Sequence, residues 1–202
     1  MNKELRYLVV ENLETRATDT GAKIIKGYAV KWNTRSSALI YGEFYEQVAK
    51  GAFSKSIAES NIVALWNHDT NLVLGATRSG TMKLLEDDIG LAFEITLPNN
   101  TWGNDAYESI SRGDVSGVSF GFWCRKDSVE YLRDEDVYIR TLLDVNIFEI
   151  SPTAFPAYDT SEVSKRSLEF LPDTKEERAL KRQKEQEIEQ LKKRLELELD
   201  LM

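Results

Sequence analysis

One imidazole limits the catalysis available to this chain. His68 is the single histidine among 202 residues, and no other side chain has an unperturbed pKa near neutrality. It stands in Leu65-Trp66-Asn67-His68-Asp69, where a short apolar run gives way to polar residues. Downstream, the run Val115-Ser116-Gly117-Val118-Ser119-Phe120-Gly121-Phe122 places Ser119 between two glycines. A serine nucleophile needs a neighbouring base and room for a carbonyl carbon to approach, and small flanking residues give that room. The same pattern suits a plain strand serine beside a β-bulge, and on pattern alone that reading is the stronger. Neither the spacing nor the strand-like context is read as that of a Gly-x-Ser-x-Gly nucleophile elbow.

A base of this kind needs a third group to hold its tautomer and offset its charge. With no second histidine, that group is a carboxylate or a neutral hydrogen-bonding side chain. Glu149 lies in Asp144-Val145-Asn146-Ile147-Phe148-Glu149-Ile150-Ser151-Pro152, an apolar setting in which an unpaired charge is costly. It reads equally as an outward strand residue paired with a lysine or arginine, and Asp144 and Asp69 compete for the role. Cys124 and His68 could form a thiol dyad, but Cys124 follows Phe122-Trp123, which favours a buried, inert thiol. One histidine with scattered carboxylates is weak support for a metal site, and no cofactor is expected.

The elements that must position these residues change character near residue 165. Before it, short apolar stretches alternate with Gly, Asn and Asp turn signals. Residues 7–10, 24–32 and 62–66 read as strands, the last ending just before His68. A short helix is expected around residues 54–58. Residues 82–86 and 90–95 form a hairpin about Asp87-Asp88-Ile89, and Asn104 to Arg112 a helix with Gly113 as its cap. Val115 to Cys124 and Val137 to Ile150 are extended, and Pro152 and Pro156 mark a loop. Six or seven strands with two or three helices imply a mainly antiparallel sheet or barrel with helices outside.

From Pro172 onward, charged residues and Gln are interrupted by Leu180, Ile188, Leu191 and Leu195, which is one apolar stripe on a charged helix. That helix is either solvated or a partner-binding surface. The expected organisation is therefore a folded domain over residues 1–165 and a charged, helical or partly disordered extension over 166–202. The domain is large enough for one core, at 42% hydrophobic residues overall. A net charge of −8 argues against broad nucleic-acid binding, and one cysteine excludes an internal disulfide. No apolar run is long enough to cross a bilayer, and Met1-Asn2-Lys3-Glu4 is unlike a signal peptide. The expected compartment is the cytoplasm, or the interior of something assembled there.

Taken in order, several motifs resemble one family, the prohead maturation proteases of tailed bacteriophages, related in fold to the herpesvirus assemblins. They are Lys26-Gly27-Tyr28-Ala29-Val30, Gly51-Ala52-Phe53, Asn67-His68-Asp69 with Leu74-Gly75, Gly113-Asp114-Val115 leading to Ser119-Phe120-Gly121-Phe122, Glu149-Ile150-Ser151, and Phe155-Pro156-Ala157-Tyr158. Each is weak singly; the ordered set spans roughly residues 5 to 165. The resemblance implies a compact antiparallel β-barrel of six or seven strands ringed by helices. It implies a serine endopeptidase that acts inside the assembling prohead in the host cytoplasm. Its substrates would be the major capsid protein, the scaffold segment and the protease itself, and self-association would be possible. Ser119 matches the nucleophile, His68 the general base and Glu149 the acidic third member. Ser116 is the alternative nucleophile, and backbone N–H groups around Ser151 to Thr153 are candidate oxyanion donors. The herpesvirus relatives use a second histidine, so this chain falls with the phage branch. The competing readings are a non-catalytic scaffold or capsid-assembly accessory protein and, less favoured, a thiol or metal hydrolase.

Overall fold

The computed structural model describes residues 3–9, 13–36, 44–154 and 175–200. In chain order the elements are β1 (Lys3–Val9), β2 (Glu14–Ala17), β3 (Lys23–Lys31), β4 (Phe44–Val48), α1 (Ser54–Glu59), β5 (Val63–Trp66), β6 (Asp69–Ala76), β7 (Met82–Glu86), β8 (Gly90–Thr96), α2 (Thr101–Ser111), β9 (Gly117–Leu132), β10 (Val137–Thr153) and α3 (Lys175–Asp200). The expected mainly β chain with few helices is what forms. The strands divide between two sheets, however, and the described pairings close neither into a barrel. One has the order β1-β9-β10-β5-β6 with β4 also on β10; the other runs β2-β3-β8-β7. Pairing is mainly antiparallel, except that β4 and β5 both run parallel to β10.

Both sheets contribute to one core. Val118, Phe120 and Phe122 alternate along β9 and meet Ile25, Val30, Phe93 and Ile95 from β3 and β8. Phe53, just before α1, packs edge-on against Phe120 with ring centroids 5.9 Å apart, and Phe120 stacks on Phe122 at 5.4 Å. Each such ring removes enough apolar surface from water to stabilise the fold by about 2 kcal/mol or more. Helix α2 begins three residues earlier than its apolar spacing suggests. Asn100 caps it by accepting the Gly103 N–H at 2.9 Å, and Ala106 and Ile110 face the core. Gly113 follows at φ +80°, the left-handed backbone that ends helices, as expected. The Asp87 carboxylate closes the β7–β8 turn by accepting from the Ile89 and Gly90 N–H groups at 2.7 and 2.9 Å.

The largest departure from expectation is the length of β9 and β10. Their ladder continues from Gly117↔Thr153 to Leu132↔Val137 as one long hairpin, whose distal part, the arm, has β4 paired along β10. Pro152, expected in a loop, lies within β10 opposite Val118. Helix α3 docks on the arm through Arg178 and Arg182, whose guanidiniums lie over the Tyr131 ring at 6.0 and 5.9 Å. Arg178 also covers Tyr138 at 5.3 Å and reaches Asp136 at 3.2 Å. Leu180, Ile188 and Leu191 are exposed, so the apolar stripe remains on the surface. The Leu195 side chain, the domain boundary near residue 165 and the motif Phe155 to Tyr158 lie outside the described residues.

Candidate active site

The sequence places the end of β5 just before His68, and the structure makes a tight hairpin there. Trp66 pairs with Asp69, leaving Asn67 and His68 as a two-residue turn. Their φ angles are +50° and +63°, positive at both central positions as a type I′ turn requires. Glycine is the favoured second residue of such turns. Placing histidine there costs on the order of 1 kcal/mol. The turn is fastened to the end of β10: the Asn67 N–H donates to the Pro152 carbonyl at 3.1 Å, and Asn67 Oδ1 accepts from the Ala154 N–H at 3.4 Å.

This fastening sets the imidazole over the β9–β10 ladder. His68 Nδ1 lies 3.2 Å from Glu149 Oε1, with the histidine side chain 25% and the glutamate 4% exposed. That is ion-pair distance, yet Nδ1 is buried and has no hydrogen-bond partner among the described residues. The N–H direction in the ring plane therefore misses the oxygen, and the contact is a close approach and not a formed bond. The other carboxylate oxygen, Oε2, accepts from the Ser151 hydroxyl at 3.2 Å.

Glu149 reaches this position because of two features of the ladder. A bulge between Ile147 and Glu149 brings Phe148 and Glu149 both over Gly121. Gly121 leaves the space they fill, since a Cβ there would stand 2.6 Å from the Phe148 ring and 2.7 Å from Glu149 Cγ. Ser119 and Gly121 share one face of β9 by two-residue alternation, and their partners on β10 are Ser151 and Glu149. Ser119 thus sits one cross-strand step from Ser151, and both are fully buried. Gly117, Ser119 and Gly121 do have the Gly-x-Ser-x-Gly spacing, but they run straight through a strand and form no elbow.

The competing residues are elsewhere. Asp69 is exposed and holds its own turn, accepting from the Asn71 N–H at 2.8 Å. Asp144 faces Arg125 at 3.5 Å. Cys124 packs with the core residues on the Phe122 side of β9, and burial pushes its thiol up to about 11, which leaves it protonated and a poor nucleophile. Ser116 is exposed, one residue before β9 begins. Of the backbone groups considered for an oxyanion, Pro152 carries no N–H to donate. Among the described residues no group of three or more His, Cys, Asp or Glu side chains could hold a metal ion. No described helix is long and apolar enough to cross a membrane. The side chain that sequence reasoning left without a role is that of Ser151; its signal was present, a polar residue two positions after Glu149 on the same strand face.

The comparisons with known proteins bear on the family and the fold. The capsid assembly protease of bacteriophage T4 has a similar structure, with a TM-score of 0.51 over 75% of this chain and 96% of that one, at 10% sequence identity. No curated protein sequence matches the chain. The sequence profile of the caudovirus prohead serine proteases matches residues 11–174, and the chain belongs to that family of phage capsid-maturation proteases.

Proposed function

We propose that this chain cleaves the major capsid protein and its scaffold segment inside the assembling prohead, and also itself, with Ser119, His68 and Glu149 as the catalytic groups. The observation that carries this reading is the placement of the only imidazole 3.2 Å from a buried carboxylate that pairs with Gly121, two residues along β9 from Ser119 on the same strand face. In the reaction, His68 Nε2 takes the proton from Ser119 Oγ as that oxygen attacks the scissile carbonyl. The same nitrogen then protonates the leaving amine, and water releases the acyl group by the reverse sequence. Glu149 receives the Nδ1–H once the ring turns into line, and it offsets the charge of the imidazolium. Because Ser119 is fully buried, a peptide reaches its oxygen only after the groups over this face move aside.

The test is mass spectrometry of the intact chain, produced alone and with the phage capsid protein, beside a Ser119→Ala variant. Self-cleavage and capsid-protein cleavage are expected in the first and fall by at least about 10⁴-fold in the second. Equal cleavage by the folded variant rejects Ser119 as the nucleophile. The non-catalytic scaffold reading predicts no cleavage by either.

A further inference from the structure

We propose that Ser151 is a positioning residue for the catalytic carboxylate, an inference that rests on the triad reading above. Glu149 approaches His68 through one oxygen only. Oε1 stands 3.2 Å from Nδ1, while Oε2 accepts the Ser151 hydroxyl at 3.2 Å. The last torsion of a glutamate is broad and nearly two-fold, so the carboxylate plane is set by what its oxygens bind. Ser151 supplies that constraint from a fixed place. It is fully buried, lies two residues from Glu149 on the same strand face, and is held in register against Ser119.

The chemical consequence is a choice of tautomer. With Oε2 pinned, Oε1 stays within 3.2 Å of Nδ1, so that a turn of the ring alone brings them into line and favours the neutral form that carries its proton there. Nε2 is then left unprotonated and available to Ser119. With Oε2 released, the carboxylate rotates about its final bond, and the imidazole loses the acceptor that distinguishes its two nitrogens. Ser151 touches no reacting atom in this scheme; it acts through Glu149.

The lone histidine makes the test direct, because a ¹⁵N-labelled chain gives one pair of imidazole signals. Tautomer populations are read above the titration of the ring in Ser119→Ala chains that carry Ser151, Ser151→Ala or Ser151→Thr. Labelling of Ser119 by a fluorophosphonate is timed in parallel in chains that keep the serine. The expected result is a predominant Nδ1–H form with Ser151 and a mixture in Ser151→Ala. Ser119 labelling should slow roughly 10- to 100-fold in that variant, the usual effect of removing a group that orients another. Ser151→Thr, which keeps the hydroxyl, should recover both readouts.

A folded Ser151→Ala chain with unchanged tautomer and labelling overturns the proposal. Should Ser151→Ala fail to fold, Ser151→Cys keeps the shape with a weaker donor. It is expected to fall between the two in both readouts, and its equality with the parent overturns the proposal. The two readings fail separately. No labelling of Ser119 in the parent, with the tautomer shift still present, rejects the nucleophile but supports Ser151 as the group that sets Glu149.

Discussion

The β9–β10 ladder has two ends, and they treat polar groups in opposite ways. Toward the arm, Arg140 is buried, and its guanidinium meets Glu4 at 2.7 Å, Glu46 at 2.9 Å and Asp127 at 2.5 Å. Burial alone would lower its pKa, but these carboxylates outweigh that and raise it. Beyond it, Tyr131 donates to Asp136 at 2.8 Å while Arg178 and Arg182 close over the rings. At the other end His68 occupies a strained turn position, and its Nδ1 is buried without a hydrogen bond among the described residues. Strain and an unsatisfied buried atom cost stability, so they persist only where the rest of the fold over-determines them. One end of the ladder stabilises the protein; the other is held in place at its expense.

Two substitutions should separate these roles. His68→Gly is the larger. Glycine suits φ +63°, so the variant should unfold about 1 kcal/mol less readily, a rise of roughly 2–4 °C in melting temperature for a chain of this size. Its proteolytic activity should fall by about 10⁴-fold. Calorimetry and a cleavage assay on the same sample read both. A melting temperature lowered by several degrees would mean that the turn is not strained and that the contrast between the ends is false. Arg140→Met is the counterpart. It strands three carboxylates and should destabilise the fold by about 3–5 kcal/mol, while the fraction still folded at low temperature labels at Ser119 at the parental rate. A specific loss of labelling in that folded fraction would tie the arm to the site.

The same contrast decides what was legible in the sequence. Strands that bury an alternating face were readable, as Val118, Phe120 and Phe122 demonstrate, because hydrophobic periodicity is local. The β5–β6 hairpin was not. Its turn signal would have been Asn-Gly, and the second position holds His68, so the proposed catalytic base disguised the element that carries it. Arm residues such as Lys126, Ser128 and Glu130 are exposed, and their strand is made by pairing with β10 and by the docking of α3. Nothing in their own order announces a strand. The site followed the same rule. His68, Ser119 and Glu149 could be singled out by scarcity, flanking glycines and apolar context. The link through Ser151 needed the register of two strands and a bulge, both non-local. The expected barrel likewise depended on which strands pair, and β4 and β5 joined β10 in parallel.

The smallest effect lies at the arm's tip and depends on pH. Burial would raise the Asp136 carboxyl, but the Tyr131 hydroxyl and the guanidiniums of Arg178 and Arg182 outweigh it and hold the pKa below its usual 3.8. A carboxylate whose pKa is depressed by folding contributes stability above its unfolded value, and that contribution is lost as the pH falls through the folded one. Protonation of Asp136 below about pH 4 therefore loosens α3 from the arm, by less than about 1 kcal/mol because the carboxylate keeps contact with water. Hydrogen exchange of residues 175–185 should quicken over that range in the parent. In Asp136→Asn it should already be quicker at neutral pH and respond less to acid. If exchange in Asp136→Asn matches the parent throughout, the latch resides in the rings of Tyr131 and Tyr138 under Arg178, and the arm holds its helix by cation–π contact and burial instead of by charge pairing.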